Sequence, residues 1–230
     1  MRNVVRVNIL QLALRFSLVP LLLLITPASY GQTSKEGLSD HRVRNLKVRE
    51  RNLDLALSKI ARRLNVPVGL EIDPGDDTSY EAKISFQFED AALKDVLDTL
   101  VKQEPRYAWR VIDGVINVYP KQGHGGLTEE ILETRVQRFQ ILEGTTLFSI
   151  RRSIVELPEV KNKLEAAHIS PAIMAFSGID YAGAGGGFSL NSADLTVREI
   201  LNQIIKSSSV KYWVISRYGD KNEFILLNFG

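Results

Sequence analysis

The chain repeats one pattern of residue types about a hundred positions later, and this repeat limits the fold more than any other feature. Trp109 and Trp213 lie 104 residues apart, each at the end of a strand, helix and strand pattern. The same offset relates other positions of matching type: Ser85 and Ser189, Asp90 and Asp194, Leu97 and Leu201, Lys102 and Lys206. An offset that holds through three successive elements indicates a duplicated unit.

The first copy is predicted to span residues 42–120. Alternating apolar and charged residues over Val43 to Arg49 predict a strand. Apolar residues from Leu53 onward then recur at helical spacing, with Asn52 as N-cap. A short strand from Val66 to Ile72 contains a proline, which favours an edge or a first position. Two further strands flank an Asp-Gly pair, a strong hairpin signal. The order is β-α-β-β-α-β-β.

The second copy is predicted to span residues 129–230, after a glycine-rich linker at residues 121–128. Thr196 and Glu199 form a capping-box pattern at the start of its second helix. The order of elements is again β-α-β-β-α-β-β, although the first part of this copy is longer and less regular. The sequence therefore predicts an α+β fold of two tandem units, each a small sheet packed with two helices.

Residues 1–31 have the composition of a secretory signal peptide. Positive charge is followed by a short apolar run from Ser17 to Ile25, and small residues at Ser29 and Gly31 precede Gln32. The apolar run is shorter than the roughly 20 residues that a membrane-spanning helix needs. We expect cleavage before Gln32 and a periplasmic product that is not an integral membrane protein, with an uncleaved anchor as the alternative. Intact-mass analysis of the exported protein distinguishes the two.

Charge and cysteine content exclude several classes of function. The signal peptide holds three of the 29 basic residues and none of the 27 acidic ones, so the mature chain is close to neutral. The basic pI is therefore no indication of nucleic-acid binding, and no nucleic-acid partner is predicted. The chain has no cysteine, which excludes disulfides, thiolate metal sites and a cysteine nucleophile.

No residue pattern predicts a catalytic, cofactor or metal site. His41, His124 and His168 each stand alone, whereas metal sites need several ligands at set spacing. The acidic residues from Asp73 to Asp77 lack the spacing of a calcium loop. The glycines from Gly183 to Gly187 run toward a strand, whereas a phosphate-binding loop leads into a helix. The two tryptophans occupy matched strand positions, which favours a place in the core over an exposed sugar-binding platform.

Five segments of the first copy together match a known pattern: the helix pattern of residues 52–64, Val66-Pro67-Val68, Ile84-Ser85-Phe86, the helix pattern of residues 92–100 and the hairpin of residues 109–119. In these segments the chain resembles the short N-terminal domain of secretins and TonB-dependent transducers. Residues 186–228 resemble the same domain more weakly. The resemblance implies a small α+β, ligand-free domain that acts by contacting other proteins.

These observations together predict a non-enzymatic interaction module of the bacterial cell envelope. Its partner would be a cell-envelope protein, for instance one of a secretin, pilus or TonB-dependent system. The candidate partner-binding residues form the first strand, because its alternating charges would protect an exposed edge yet admit a selected strand: Val43, Arg44, Leu46, Lys47, Val48 and Arg49. A periplasmic carbohydrate- or peptidoglycan-binding module is the main alternative. An enzyme with a site in the glycine-rich loop is another.

Overall fold

The structure, a computed structural model, describes residues 37–38, 40–72, 83–121, 126–171, 187–218 and 224–230. Several predictions concern residues outside these ranges. They are the signal peptide, the acidic turn at residues 73–77, most of the glycine-rich loop, His124 and most of the linker.

The first half of the fold, residues 42–120, has the predicted order of elements. It comprises β1 (Arg42–Glu50), α1 (Leu53–Leu64), β2 (Val68–Ile72), β3 (Ile84–Ala92), α2 (Leu93–Gln103), β4 (Tyr107–Ile112) and β5 (Val115–Pro120). Asn52 caps α1 as predicted, because its side chain accepts a hydrogen bond from the Leu55 N–H at 2.9 Å. Asp113 and Gly114 both have positive φ, as the tight turn between β4 and β5 requires.

The second half, residues 126–230, contains two helices that the sequence pattern did not predict. Its elements are α3 (Leu127–Leu132), β6 (Arg135–Ile141), α4 (Leu147–Val155), α5 (Pro158–Ala166), β7 (Ser170–Pro171), β8 (Leu190–Thr196), α6 (Val197–Ser207), β9 (Tyr212–Tyr218) and β10 (Phe224–Phe229). The unpredicted α3 begins inside the expected linker, and α5 follows α4 directly. The predicted capping box of Thr196 and Glu199 is present. The mixture of helices and small sheets confirms the α+β class.

The first strands of the two halves also match, at an offset of 93 rather than 104. Their buried positions are Val43, Leu46 and Val48 in β1 and Val136, Phe139 and Ile141 in β6. The gap of three between the first two departs from strict alternation. In β1 it coincides with Asn45, whose φ is +51° and whose left-handed backbone shifts the phase of the strand. The additional helix α5 lies along the chain between the segments that follow these two offsets.

One six-stranded sheet runs through both halves, in the order β4-β5-β2-β9-β10-β7. Each half also keeps a two-stranded sheet of its own, β1 with β3 and β6 with β8. The larger sheet is continuous because β2 pairs in parallel with β9 from Val68 opposite Tyr212 to Ile72 opposite Ser216. This contact is called the β2–β9 joint below. The strand β2 is therefore central rather than at an edge, and Pro67 lies just before it, where no ladder donor is lost.

Two hydrophobic cores lie on the two sides of the joint, and each contains residues from both halves. The first is built around α1 and α2 and includes Tyr212 and Val214 of β9. The second is built around α4 and α6 and includes Val115 of β5. The described residues of both halves accordingly form one compact unit.

Proteolysis near the linker is expected to leave the two halves associated. A nick between residues 121 and 128 cuts the chain but leaves the β2–β9 joint and both mixed cores in place. Nicked protein should elute from a sizing column at the position of the intact chain, while a denaturing gel shows two fragments. Elution of separate fragments would mean that the joint contributes little to stability.

Candidate interaction surfaces

The predicted partner-binding strand β1 has its apolar residues in the core. Val43, Leu46 and Val48 are buried, whereas Arg44, Lys47 and Arg49 are exposed. The polar, mainly basic side chains and the outward backbone groups of this strand are therefore what it offers to a partner.

The contacts of β3 show which backbone groups of β1 face outward. Ser85 lies opposite Arg49, and both the N–H and the carbonyl of Ser85 bond to the Gln103 side chain rather than to β1. Directly opposite residues of an antiparallel pair either exchange both hydrogen bonds or exchange neither. The backbone N–H and carbonyl of Arg49 therefore point away from β3, as do those of Lys47 two residues earlier.

Exposed charges surround the edge of β1. Arg42 and Asp90 form an ion pair at 2.5 Å between strands, and the hydrogen bond from Arg42 holds the pKa of the Asp90 carboxyl below its usual range. Arg63 of α1 donates to the Asn45 carbonyl at 2.7 Å. Charges of this kind discourage indiscriminate pairing at a strand edge.

The β2–β9 joint depends on a glycine. Trp213 is fully buried, and its indole lies against Gly69 of β2 so closely that a Cβ on Gly69 would meet the ring at 2.2 Å. The indole N–H donates to Asn202 Oδ1 of α6 at 3.0 Å, which fixes the orientation of the ring. The buried position of Trp213 removes it as a surface for stacking sugars.

A buried ionic network crosses the same joint. Arg198 of α6 donates from Nη1 to Glu71 of β2 at 2.5 Å and from Nε to Glu133 at 2.6 Å. Its Nη1 also approaches Asn117 Oδ1 of β5 at 3.5 Å. Burial alone would lower the pKa of Arg198, but the attraction of Glu71 and Glu133 outweighs it and the net direction is upward. The guanidinium thus stays charged and binds elements of both halves together.

The hydrogen bond between Asp54 and Tyr212 links α1 to β9 across the joint. The Tyr212 hydroxyl donates to Asp54 Oδ1 at 2.7 Å. Burial raises the pKa of the Asp54 carboxyl, and the bond from Tyr212 offsets part of that rise. A raised pKa in the folded state means that folding favours the protonated form, so this group lowers stability as the pH rises through the carboxyl range.

The Tyr212→Phe variant should therefore be less stable than wild type by about 1–2 kcal/mol at neutral pH. Loss of the donor leaves the Asp54 carboxylate desolvated without its partner, which raises the pKa of Asp54 further. The loss should shrink as the pH falls and Asp54 becomes protonated in both proteins. Urea unfolding of both proteins at several pH values measures the loss of unfolding free energy. A loss that does not change with pH would show that the ring contacts of Tyr212 matter more than its hydroxyl.

The outer strand β4 carries the second tryptophan. Trp109 is half-buried, and its indole N–H donates to Asp98 Oδ1 of α2 at 2.9 Å. Asp98 also pairs with Lys94 at 3.1 Å. The exposed Arg110 lies over the Tyr119 ring at 4.9 Å. Within the described residues, no strand pairs with the side of β4 that faces away from β5.

Of the three histidines, His41 and His168 lie in the part of the chain that the structure describes, and both are exposed. The described ranges contain no group of three or more acidic or histidine side chains arranged to hold a metal ion. They also contain no helix that is both long and apolar enough to cross a bilayer.

Little in the sequence pattern predicted the β2–β9 joint. The ionic partners Glu71 and Arg198 lie 127 residues apart, and no local pattern connects them. Gly69 was a usable signal, since a glycine inside an apolar strand often marks a close approach of another group. No family model matches the chain, and no curated protein matches it either.

Proposed function

We propose that the chain is a non-enzymatic protein–protein interaction module, exported to the bacterial periplasm, that docks a cell-envelope protein. A component of a secretin, pilus or TonB-dependent system fits this role, as the resemblance of residues 42–120 to the short domain of secretins and TonB-dependent transducers implies. The composition of residues 1–31 supports export.

The β2–β9 joint is the observation that carries this proposal. At this joint, the three strands β4-β5-β2 of the first half and the three strands β9-β10-β7 of the second half form one sheet, because the edge strand β2 pairs with the edge strand β9. The edge strands of these small sheets can therefore pair with an added strand. Strand addition is also a common mode of peptide recognition, in which backbone hydrogen bonds provide affinity and side-chain pockets provide specificity.

We assign the partner-docking edge to β1, through the outward backbone groups of Lys47 and Arg49 and the basic side chains beside them. An incoming strand with acidic residues would complement Arg44, Lys47 and Arg49. The buried side chains of Val43, Leu46 and Val48 would hold β1 itself in place during docking.

Site-specific photocrosslinking in the native host tests the proposal. A photoreactive residue at Lys47 should capture one defined envelope protein, whereas the same residue at Lys161 on the exposed face of α5 should not. Replacing Arg49 by proline in the Lys47 probe removes an outward donor and should reduce the adduct, while Arg49→Ala should preserve it. Circular dichroism establishes that the proline variant is folded.

Failure to form a specific adduct at Lys47, or equal adducts at Lys161, would contradict docking at this edge. Tight binding to purified glycan without a protein adduct would favour the carbohydrate-binding alternative. The buried position of Trp213 and the partial burial of Trp109 weigh against that alternative.

A further inference from the structure

The strands β4 and β9 occupy equivalent places in the two halves. Each is the first strand of an antiparallel hairpin that follows a helix. Each presents a tryptophan whose indole N–H donates to a side-chain oxygen eleven residues earlier, Trp109 to Asp98 at 2.9 Å and Trp213 to Asn202 at 3.0 Å. The strand that pairs with β9 therefore indicates the kind of strand that β4 can bind.

The backbone of β4 turns toward its outer side the groups that β9 uses at the joint. Lys121 N–H donates to the Arg106 carbonyl, so Arg106 and every second residue after it bond to the β5 side. The N–H and carbonyl groups of Trp109 and Val111 therefore face away from β5. In β9, the Lys211 carbonyl accepts from the Val68 N–H of β2, so Lys211 and every second residue after it face β2. Trp213 and Ile215 are among these residues, and they are the positions equivalent to Trp109 and Val111.

The strand that covers β9 has a definite chemistry. Gly69 lies opposite Trp213 and leaves room for the indole. Two residues later, Glu71 meets Arg198 of α6. The position equivalent to Arg198 in the first half, 104 residues earlier, is Lys94 of α2, which is also cationic and whose side chain is 59% exposed.

We propose that the free edge of β4 binds, in parallel, an extended segment of a partner protein in which glycine lies between two apolar residues and an acidic residue follows two positions after the glycine. The glycine lies against Trp109, and the acidic side chain pairs with Lys94. Backbone hydrogen bonds run to Trp109 and Val111. A second copy of this chain does not supply its own segment of this pattern, because its β2 is already paired on both sides by β5 and β9.

This inference rests on the proposed function and names a second docking edge with its ligand chemistry, yet its test needs no natural partner. The probe is a fluorescently labelled peptide with the sequence of residues 65–72, Asn-Val-Pro-Val-Gly-Leu-Glu-Ile, and the measurement is its anisotropy with the full-length chain. We expect saturable binding at peptide or protein concentrations below about 1 mM.

Matched variants locate the binding at β4. Val111→Pro removes an outward donor and should weaken binding about tenfold, whereas Val111→Ala keeps the donor and should have a small effect. Lys94→Glu should also weaken binding about tenfold, and a peptide with lysine in place of its glutamate should restore it. A peptide with valine in place of glycine should not bind, because its side chain would collide with Trp109.

Absence of binding at about 1 mM would overturn the inference. Binding that Val111→Pro and Lys94→Glu leave unchanged would overturn it too, because the peptide would then be replacing β2 at β9. A specific crosslink at Lys47 in cells, together with no peptide binding, would support the proposed function and contradict only the binding site at β4. Peptide binding of the expected pattern, together with no envelope adduct, would support the binding site at β4 and contradict docking at β1.

Discussion

The Gly69→Ala variant should lose about 3 kcal/mol of unfolding free energy, although the substitution adds a single methyl group. The new Cβ would lie 2.2 Å from the indole of Trp213, far inside van der Waals contact. The ring cannot move aside easily, because it is fully buried and its N–H is bonded to Asn202. Chemical denaturation followed by circular dichroism measures the loss.

Two further variants test the cause of this loss. Gly126→Ala serves as the control, since Gly126 is exposed and its φ of −76° suits any residue. Gly126 is the N-cap of α3, where alanine is less favourable than glycine, so the loss should stay within about 1 kcal/mol. Trp213→Ala leaves space for the new methyl group, and the double variant with Gly69→Ala should be less destabilised than the sum of the two single variants. Strict additivity would show that the collision with Trp213 is not the cause.

The Arg198→Met variant should lose about 3–5 kcal/mol, because it removes the guanidinium that compensates the buried charge of Glu71. The side chains of Arg198 and Glu71 are each 3% exposed, so water cannot replace the missing guanidinium. The exposed pair of Arg152 and Glu156 provides the matched control, and Arg152→Met should cost about 0.5 kcal/mol or less. Urea unfolding at neutral pH compares the two.

A second replacement distinguishes the loss of charge compensation at Glu71 from the loss of packing by the arginine side chain. When Glu71→Leu is combined with Arg198→Met, the buried charge disappears and apolar volume takes its place, so most of the lost stability should return. If the double variant is as unstable as Arg198→Met alone, the packing of the arginine stem on the joint is the larger contribution. Such an outcome would contradict the electrostatic account of the network.

Local signals in the sequence were sufficient for most individual elements. The periodicity that starts at Leu53 and the cap at Asn52 located α1, and the Asp113-Gly114 turn located the hairpin of β4 and β5. These signals act over a few residues, so one segment contains all of the information. The six-residue α3 is too short to show a clear apolar period, and α5 has only two buried apolar residues, Val160 and Leu164, so neither helix was predicted.

The candidate edges were harder to predict than the elements. The basic residues of β1 were visible in the sequence, but their division into buried and exposed positions depended on the phase shift at Asn45. The equivalence of β4 and β9 followed from the repeat of Trp109 and Trp213. The repeat did not predict which of the two strand edges is covered by another strand, since β4 and β9 have the same local pattern.

The sequence by itself determined the α+β class, the order of strands and helices in the first half and the cap of α1 at Asn52, because propensity, periodicity and capping act between neighbouring residues. Only the tertiary structure decided that β2 joins β9, that Trp213 is buried against Gly69 and that Arg198 meets Glu71. These contacts link residues more than a hundred positions apart, and their energies depend on burial, shape and charge that exist only once the two halves pack together.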